Sequence, residues 1–367
     1  MVKLRIFLLL STLCVTCSTY AAAVSSINSD HTALLSDREV NSMVSEDEWN
    51  DFKIKYKKKY DSSSDESYRK MVYAKNKIKI AKLNEENLAQ VHQKAFGVTE
   101  FTDLEVYEFT SLYLTPNLIK YIPNDQGILP PTSILLDPQT PTNFSWVNMG
   151  ATTPIKNQGA CGSCWAFSAT EMVESMVFLT QHTLPTLSVQ QLVSCDRIDS
   201  GCRGGWPSNA FNYIQTYGQE SDSAYPYTSG NGSVGVCNYN ADQVTTHING
   251  WKYIIPICNT YQCSTQNSYE AQLQTYIANS GPASIAVNAS SWQFYRGGIM
   301  AKTNCNGSLY YLNHAVQLVG YGLAGSTQYW LARNQWGANW GENGYIRLEF
   351  GGNTCGVADV VTTPILS

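Results

Sequence analysis

Nine cysteines follow residue 23, at Cys161, Cys164, Cys195, Cys202, Cys237, Cys258, Cys263, Cys305 and Cys355. The N-terminus decides what they can become. Lys3 and Arg5 give a positive start, and Ile6 to Val15 is mostly apolar but too short to span a bilayer. Ala21-Ala22-Ala23 offers a small-residue cleavage site, so residues 1–23 are expected to be a secretory signal peptide. Cys14 and Cys17 leave with it. In an oxidising compartment cysteines pair, and nine is odd, so one thiol should stay free. The fold must therefore be stapled in its C-terminal part around a single unpaired sulfur. Four N-x-S/T acceptors, Asn143, Asn231, Asn288 and Asn306, are candidate glycosylation sites of the same compartment.

The chain changes character near residue 130. Residues 53–94 hold twelve Lys or Arg against five Asp or Glu and no cysteine. From residue 131 onward eight basic residues face twelve acidic ones. A charged fraction of 14% with 12% aromatic residues describes a folded chain with a sizeable core. The net charge of −5 argues against nucleic acid as a partner. No later stretch is long and apolar enough to span a membrane.

The first part reads as helix over 46–112. In "YRKMVYAKNKIKIAKLNEEN" no Pro or Gly intervenes, and Tyr73, Asn76, Ile80 and Asn84 share one face. The Pro- and Gly-bearing stretch at 113–130 reads as an extended linker. Beyond it, "CWAFSATEMVESMVFLTQH" places Trp165, Ala169, Met172, Val173, Met176 and Leu179 on one face of a helix beginning at or near Cys164. "LSVQQLVSC" reads as a short helix with Ser188 as N-cap. "ASIAVNA", "HAVQLVGYG", "QYWLARNQW" and "GYIRLEF" read as strands. The expectation is an α+β chain with a helical and a β-rich subdomain and a cleft between them.

Three roles are open to "QGACGSCWAF". A zinc site would want two close ligand pairs, but thiols in an oxidising compartment form disulfides instead. A thioredoxin-like pair would want a preceding strand, which "NMGATTPIKNQGA" does not suggest. A nucleophile would want Cys164 at a helix N-terminus, where free N–H groups and the dipole favour thiolate. It would also need a partner and a group to orient that partner. Of five histidines, His31 and His92 lie in the first part, and His182 and His247 look like surface positions. His314 opens the apolar run "LNHAVQLVGYG". Asn334, flanked by Trp336 and Trp340, can accept the imidazole N–H while the indoles exclude water.

"QGACGSCWAFS", "LNHAVQLVGYG" and "RNQWGANWGENGYIRL", with "CDRIDSGCRGGWP" and "FYRGGIM", resemble the catalytic and neighbouring blocks of papain-family cysteine proteases of the cathepsin L-like branch. Asp65, Arg69, Tyr73, Asn76, Ile80 and Asn84, followed by Gly97, Thr99, Phe101 and Asp103, keep the spacing of the family's inhibitory propeptide. Asp65, Tyr73 and Thr99 are conservative departures. The resemblance implies a zymogen with a papain-like two-subdomain fold, helical on one side and β-barrel-like on the other. It divides the chain into the signal, a propeptide at 24–130 and a peptidase domain at 131–367.

The resemblance also assigns roles. Cys164 would be the nucleophile, His314 its ion-pair partner and proton donor, and Asn334 the residue orienting His314. Gln158 would supply an oxyanion donor. Gly204 and Gly205 would let substrate backbone approach closely. Trp206, Pro207, Ala286, Leu312, Ala315 and Val360 would line the pocket for the residue before the scissile one (P2), and Trp336 would border the site. With no acid at Val360, hydrophobic P2 side chains are expected. The implied disulfides are Cys161–Cys202, Cys195–Cys237 and Cys305–Cys355, leaving Cys258–Cys263 for a local loop outside the family's common core.

The expected activity is that of an endopeptidase without metal or cofactor. Its partners would be protein or peptide substrates, its own propeptide and cystatin-like inhibitors, with no nucleic acid and no membrane span. It would be a monomer of the secretory pathway, bound for lysosome, endosomal vesicle or the extracellular space. A basic propeptide on an acidic enzyme suggests activation in acid. Two departures stand out: Gln335 where the family usually has Ser, and "NFSWVNMG" where Asp-Trp-Arg is usual. Two rival readings remain: a secreted disulfide-rich binding protein on an inactive protease scaffold, and a chain whose working part is the propeptide as an inhibitor of other proteases.

Overall fold

The computed structural model describes residues 40, 42–116, 118, 136–258, 263 and 266–366. The signal peptide expected at 1–23, most of the linker expected at 113–130 and the boundary at 131 lie outside them. The described residues divide into two compact units, one through Leu83 with Thr102–Leu104, the other Asn84–Phe101 with Glu105 onward.

In the smaller unit Ser45 accepts a hydrogen bond from the Glu48 N–H and so caps α1 (Glu46–Lys55). Helix α2 (Ser63–Val91) follows, and its residues through Leu83 belong here. Aromatic packing joins the two: Trp49 stacks on Phe52 and Tyr60 and meets Tyr73 edge-on. The face expected from the spacing is the inner one, with Tyr73, Asn76 and Ile80 buried. Asn76 donates to the carbonyls of Thr102 at 2.8 Å and Leu104 at 2.9 Å. The lysines are largely matched within this unit: Lys58 to Asp103, Lys70 to Glu46 and Lys77 to Glu48.

The larger unit takes in the end of α2. The expected helix over 46–112 is interrupted: His92 adopts positive φ just after α2, and helix resumes only at α3 (Val106–Tyr113). Between them Asn84 accepts from the N–H groups of Ala95 and Phe96 and donates to the Phe96 carbonyl. One side-chain amide thus holds a non-helical segment in place.

The rest of this unit begins with β1 (Phe144–Ser145), α4 (Cys164–Gln181), α5 (Val189–Cys195) and α6 (Pro207–Tyr217). Ser188 caps α5 through the Gln191 N–H, and Pro207 opens α6. A two-stranded ribbon, β2 (Gln219–Glu220) with β3 (Val244–Thr246), follows. Then come β4 (Gly250–Tyr253), α7 (Glu270–Asn279), β5 (Ala283–Val287), β6 (Ile299–Met300), β7 (His314–Ala324), β8 (Thr327–Arg333), β9 (Tyr345–Glu349) and β10 (Val361–Ile365). They form a sheet of order β4-β10-β5-β7-β8-β9-β6, with β1 also on β7; only β6–β9 is parallel. Helices first and sheet second is the arrangement expected.

Helix α4 is the buried helix expected from the sequence, but its burial extends beyond the one apolar face. It packs on β5, β7 and β10 as well as on α5 and α6, so it is buried all round from Cys164 to Ser175. Polar residues therefore enter the core. Glu174 takes hydrogen bonds from Lys156, Thr153 and the Leu187 N–H. Glu171 lies 3.6 Å from the Arg333 guanidinium, and burial pushes its carboxyl up to about 7.

Disulfides join Cys161–Cys202, Cys195–Cys237, Cys258–Cys263 and Cys305–Cys355, and Cys164 is free. Of the sequons, Asn143, Asn231 and Asn306 are exposed. Asn288 is not: it is 6% exposed and its Nδ2 donates to the Asn306 carbonyl at 2.9 Å. The nitrogen that would carry a glycan at Asn288 is thus bonded inside the fold. Among the described residues no helix is long and apolar enough to cross a membrane.

Candidate active site

Cys164 is the first residue of α4, directly after Ser163. The free N–H groups and the dipole of a helix N-terminus favour a thiolate at this position. The loop before it is tied down: Cys161 is bonded to Cys202, and the Gly162 N–H donates to the Cys202 carbonyl at 2.8 Å.

His314 begins β7, buried. Asn334, just after β8, lies with its Oδ1 2.8 Å from the imidazole Nε2. A carbonyl oxygen can only accept, so Nε2 carries hydrogen there. Nδ1 is left buried and without a partner among the described residues. Trp336 covers the ring at a centroid distance of 4.9 Å, and Trp292 meets it edge-on at 5.9 Å. Trp340 stacks on Trp292 in turn.

Gln158 is buried and fully engaged. Its Oε1 accepts from the Trp336 indole at 3.2 Å, which turns the amide nitrogen outward. That Nε2 donates to the Cys161 carbonyl at 2.7 Å and to the Tyr113 carbonyl at 3.1 Å. The Gln158 N–H donates to the Gln335 carbonyl, and its own carbonyl accepts from the Tyr227 hydroxyl. Tyr227 also bonds Ser163, so one phenol braces both Gln158 and the residue before Cys164.

The start of the segment expected as a linker is part of this site. Leu114, Thr115 and Leu118 are buried. The Thr115 hydroxyl lies 3.7 Å from the Cys164 sulfur, and the Thr115 N–H donates to the Asn313 carbonyl at 2.7 Å. Phe101 and Phe109 rest edge-on against Trp336. Burial raises the Cys164 thiol and pulls His314 down to about 4, against the opposing hydrogen bond to Asn334. In this covered state burial disfavours both charges of a thiolate–imidazolium pair, because the water that would solvate them is shut out.

Trp206, Ala286, Leu312 and Val360 fall in one buried apolar cluster, and Leu118 is in it too. Pro207 follows Trp206 at the head of α6, and Ala315 pairs with Ala286 across β7 and β5. Trp336 belongs instead with His314. Gly204 has φ of +115°, and a Cβ there would sit 2.1 Å from the Thr115 methyl. That matches a glycine kept bare for an approaching chain. Gly205 is bare for another reason: a Cβ would meet Asp199 at 2.5 Å. Tyr227, Trp292 and Thr115 escaped the sequence reading. The "YPY" and "SSWQFY" aromatics were the available signal for the first two; for Thr115 there was none. Cys258, Cys263 and Asp359 are the one group of metal-ligand types among the described residues, and its sulfurs are bonded to each other.

Residues 140–365 match the profile of the papain family cysteine proteases, and residues 49–109 match the cathepsin propeptide inhibitor domain. Cysteine proteinase 1 of Dictyostelium discoideum is 38% identical over 344 residues, covering 86% of this chain and 91% of that protein. Mouse cathepsin F is 37% identical over 320 residues, covering 86% of this chain, which spans only 64% of that longer protein. The digestive procathepsin L2 proteinase of Tenebrio molitor larval midgut superposes with a TM-score of 0.74 at 31% identity, over 87% of this chain and 99% of that one. With its helical inhibitor segment and its mixed helix-and-sheet enzyme part, the chain belongs to the papain family of cysteine proteases.

Proposed function

We propose that the chain is the precursor of an endopeptidase in which Cys164 attacks the peptide carbonyl and His314 protonates the leaving amine. The observation that carries this reading is the convergence of groups at one place. Cys164 stands at the N-terminus of α4, and Asn334 fixes the tautomer that leaves the His314 Nδ1 free. Gln158 Nε2, with the Cys164 N–H, would hold the oxyanion, and water would release the acyl-enzyme. None of the four residues is substituted, so the inactive-scaffold alternative has no observation in its favour.

Residues 113–118 would be the inhibitory plug. The reading is supported by a carbonyl on the Gln158 amide, a hydroxyl beside the nucleophile and Leu118 among the P2-pocket residues. Removing the plug readmits water, and water restores the thiolate–imidazolium pair. The apolar cluster at Val360 favours Leu, Val or aromatic residues at P2.

Acid would loosen the propeptide from within. Lys53 and Trp49 hold the Glu66 carboxyl below its ordinary 4.5, so that stabilisation is present above this pH and lost as pH falls through the lowered value. Cleavage at the 130/131 boundary would follow, giving a monomeric enzyme of the secretory pathway, open to cystatin-like inhibitors.

The test is to treat the acid-processed protein with an epoxide-type thiol-protease inhibitor and map the adduct. Labelling of Cys164 with loss of peptide cleavage is expected. Cleavage that persists with Cys164 unlabelled would overturn the assignment.

A further inference from the structure

Gln335, where the family usually has Ser, is buried between the groups assigned above. Its main chain already touches two of them. The Gln335 N–H donates to Asn334 Oδ1 at 2.9 Å, and the Gln335 carbonyl accepts from the Gln158 N–H at 2.9 Å. Its side chain reaches a third place: Nε2 donates to the Ala315 carbonyl at 2.8 Å.

Ala315 is not an arbitrary target. It follows His314 on β7, so whatever fixes its peptide fixes the backbone that carries the imidazole. A serine side chain is two atoms shorter and could not make this span. Gln335 Oε1, by contrast, is buried with no partner among the described residues. A bare buried acceptor destabilises a fold. What this side chain contributes must therefore come from its donor.

We infer that Gln335 is a positioning residue for catalysis. Its amide locks Ala315, and with it the orientation of the neighbouring His314, to the loop carrying Asn334. The inference rests on the proposed roles of Cys164 and His314. A structural role and a positioning role predict opposite things. A residue of similar length without a donor removes the bare acceptor, strands the Ala315 carbonyl and keeps the packing, so the two polar costs offset. Stability should then change little while chemistry suffers.

The experiment compares the processed parent with Gln335→Met and, as a second donor-free side chain, Gln335→Leu. Steady-state kinetics on a peptide substrate, the pH dependence of Cys164 alkylation by iodoacetamide, and thermal unfolding are read in each. Loss of one hydrogen bond should lower kcat about 3- to 10-fold, with KM held within about twofold. The alkylation profile should move to higher pH by about half a unit to one unit, with a melting temperature close to that of the parent. Variants that match the parent in kcat and alkylation profile would overturn the role of Gln335 alone. So would a loss of kcat that merely tracks a loss of stability. A parent that neither cleaves peptide nor is alkylated at Cys164 would overturn the catalytic assignment, and this inference with it. If one variant fails to mature, the other is read by the same criteria; failure of both to fold makes the role structural and overturns the proposal.

Discussion

The side-chain amide of Gln158 lies 3.1 Å from the carbonyl oxygen of Tyr113. A donor proposed for a developing oxyanion is thus bonded, in the precursor, to an ordinary peptide oxygen of the same chain. Gln158→Ala in the processed enzyme should lower kcat about 10²–10³-fold and change KM far less, since the lost bond strengthens only as charge develops. Initial rates over a range of peptide concentrations would separate the two constants.

Val360 sits with Trp206, Ala286 and Leu312 in an apolar cluster. Peptides with Leu at P2 should be cleaved about 10²-fold better than those with Arg, because a buried guanidinium would find no partner there. Val360→Glu should raise the Arg-to-Leu ratio of kcat/KM by about tenfold or more. Paired fluorogenic substrates differing only at P2 give the ratio directly.

Asn87 binds residues far along the chain. Its Nδ2 donates to the Ile299 carbonyl at 3.0 Å, and its Oδ1 accepts from the Ala301 N–H at 2.8 Å. Asn87→Ala strands both backbone groups in a buried place, at roughly 1–3 kcal/mol each. The intact precursor should then be alkylated at Cys164 about tenfold faster or more. The processed enzyme, which lacks residue 87, should be unaffected.

Asp359 is buried beside Asn353, which donates to it at 2.6 Å, and burial pushes its carboxyl up to about 8. The raised value means that the fold holds the proton. Its stabilising contribution is complete below the ordinary 3.8 and is lost progressively as pH rises to about 8. Asp359→Asn removes this dependence. The melting temperature of the variant should gain on that of the parent between about pH 5 and about pH 8.

The proposed reacting groups were legible because their chemistry is local. An odd cysteine, a histidine opening an apolar strand and an asparagine among tryptophans each stand out against their neighbours. Helix α4 was legible as a buried helix but not in its polar partners: nothing local announces that Glu171 and Glu174 are buried until β7 and Arg333 are in place. Leu114, Thr115 and Leu118 sit in a stretch with turn-forming residues and no periodicity. Their burial comes from residues such as Gly204 and Asn313 that the local pattern cannot announce. Asn288 matches a sequon, and its bond to the Asn306 carbonyl is not legible in the local pattern.

The covering of Cys164 has a meaning before any peptide is cut. Eight of the nine cysteines among the described residues form four bridges, and this sulfur is the one left unpaired. Thiol–disulfide exchange needs both a thiolate and access for an incoming sulfur. Beneath Thr115 the thiol is buried and held toward its neutral form. In oxidising surroundings the segment over Cys164 would thus also serve the folded precursor as a protecting group for its odd cysteine.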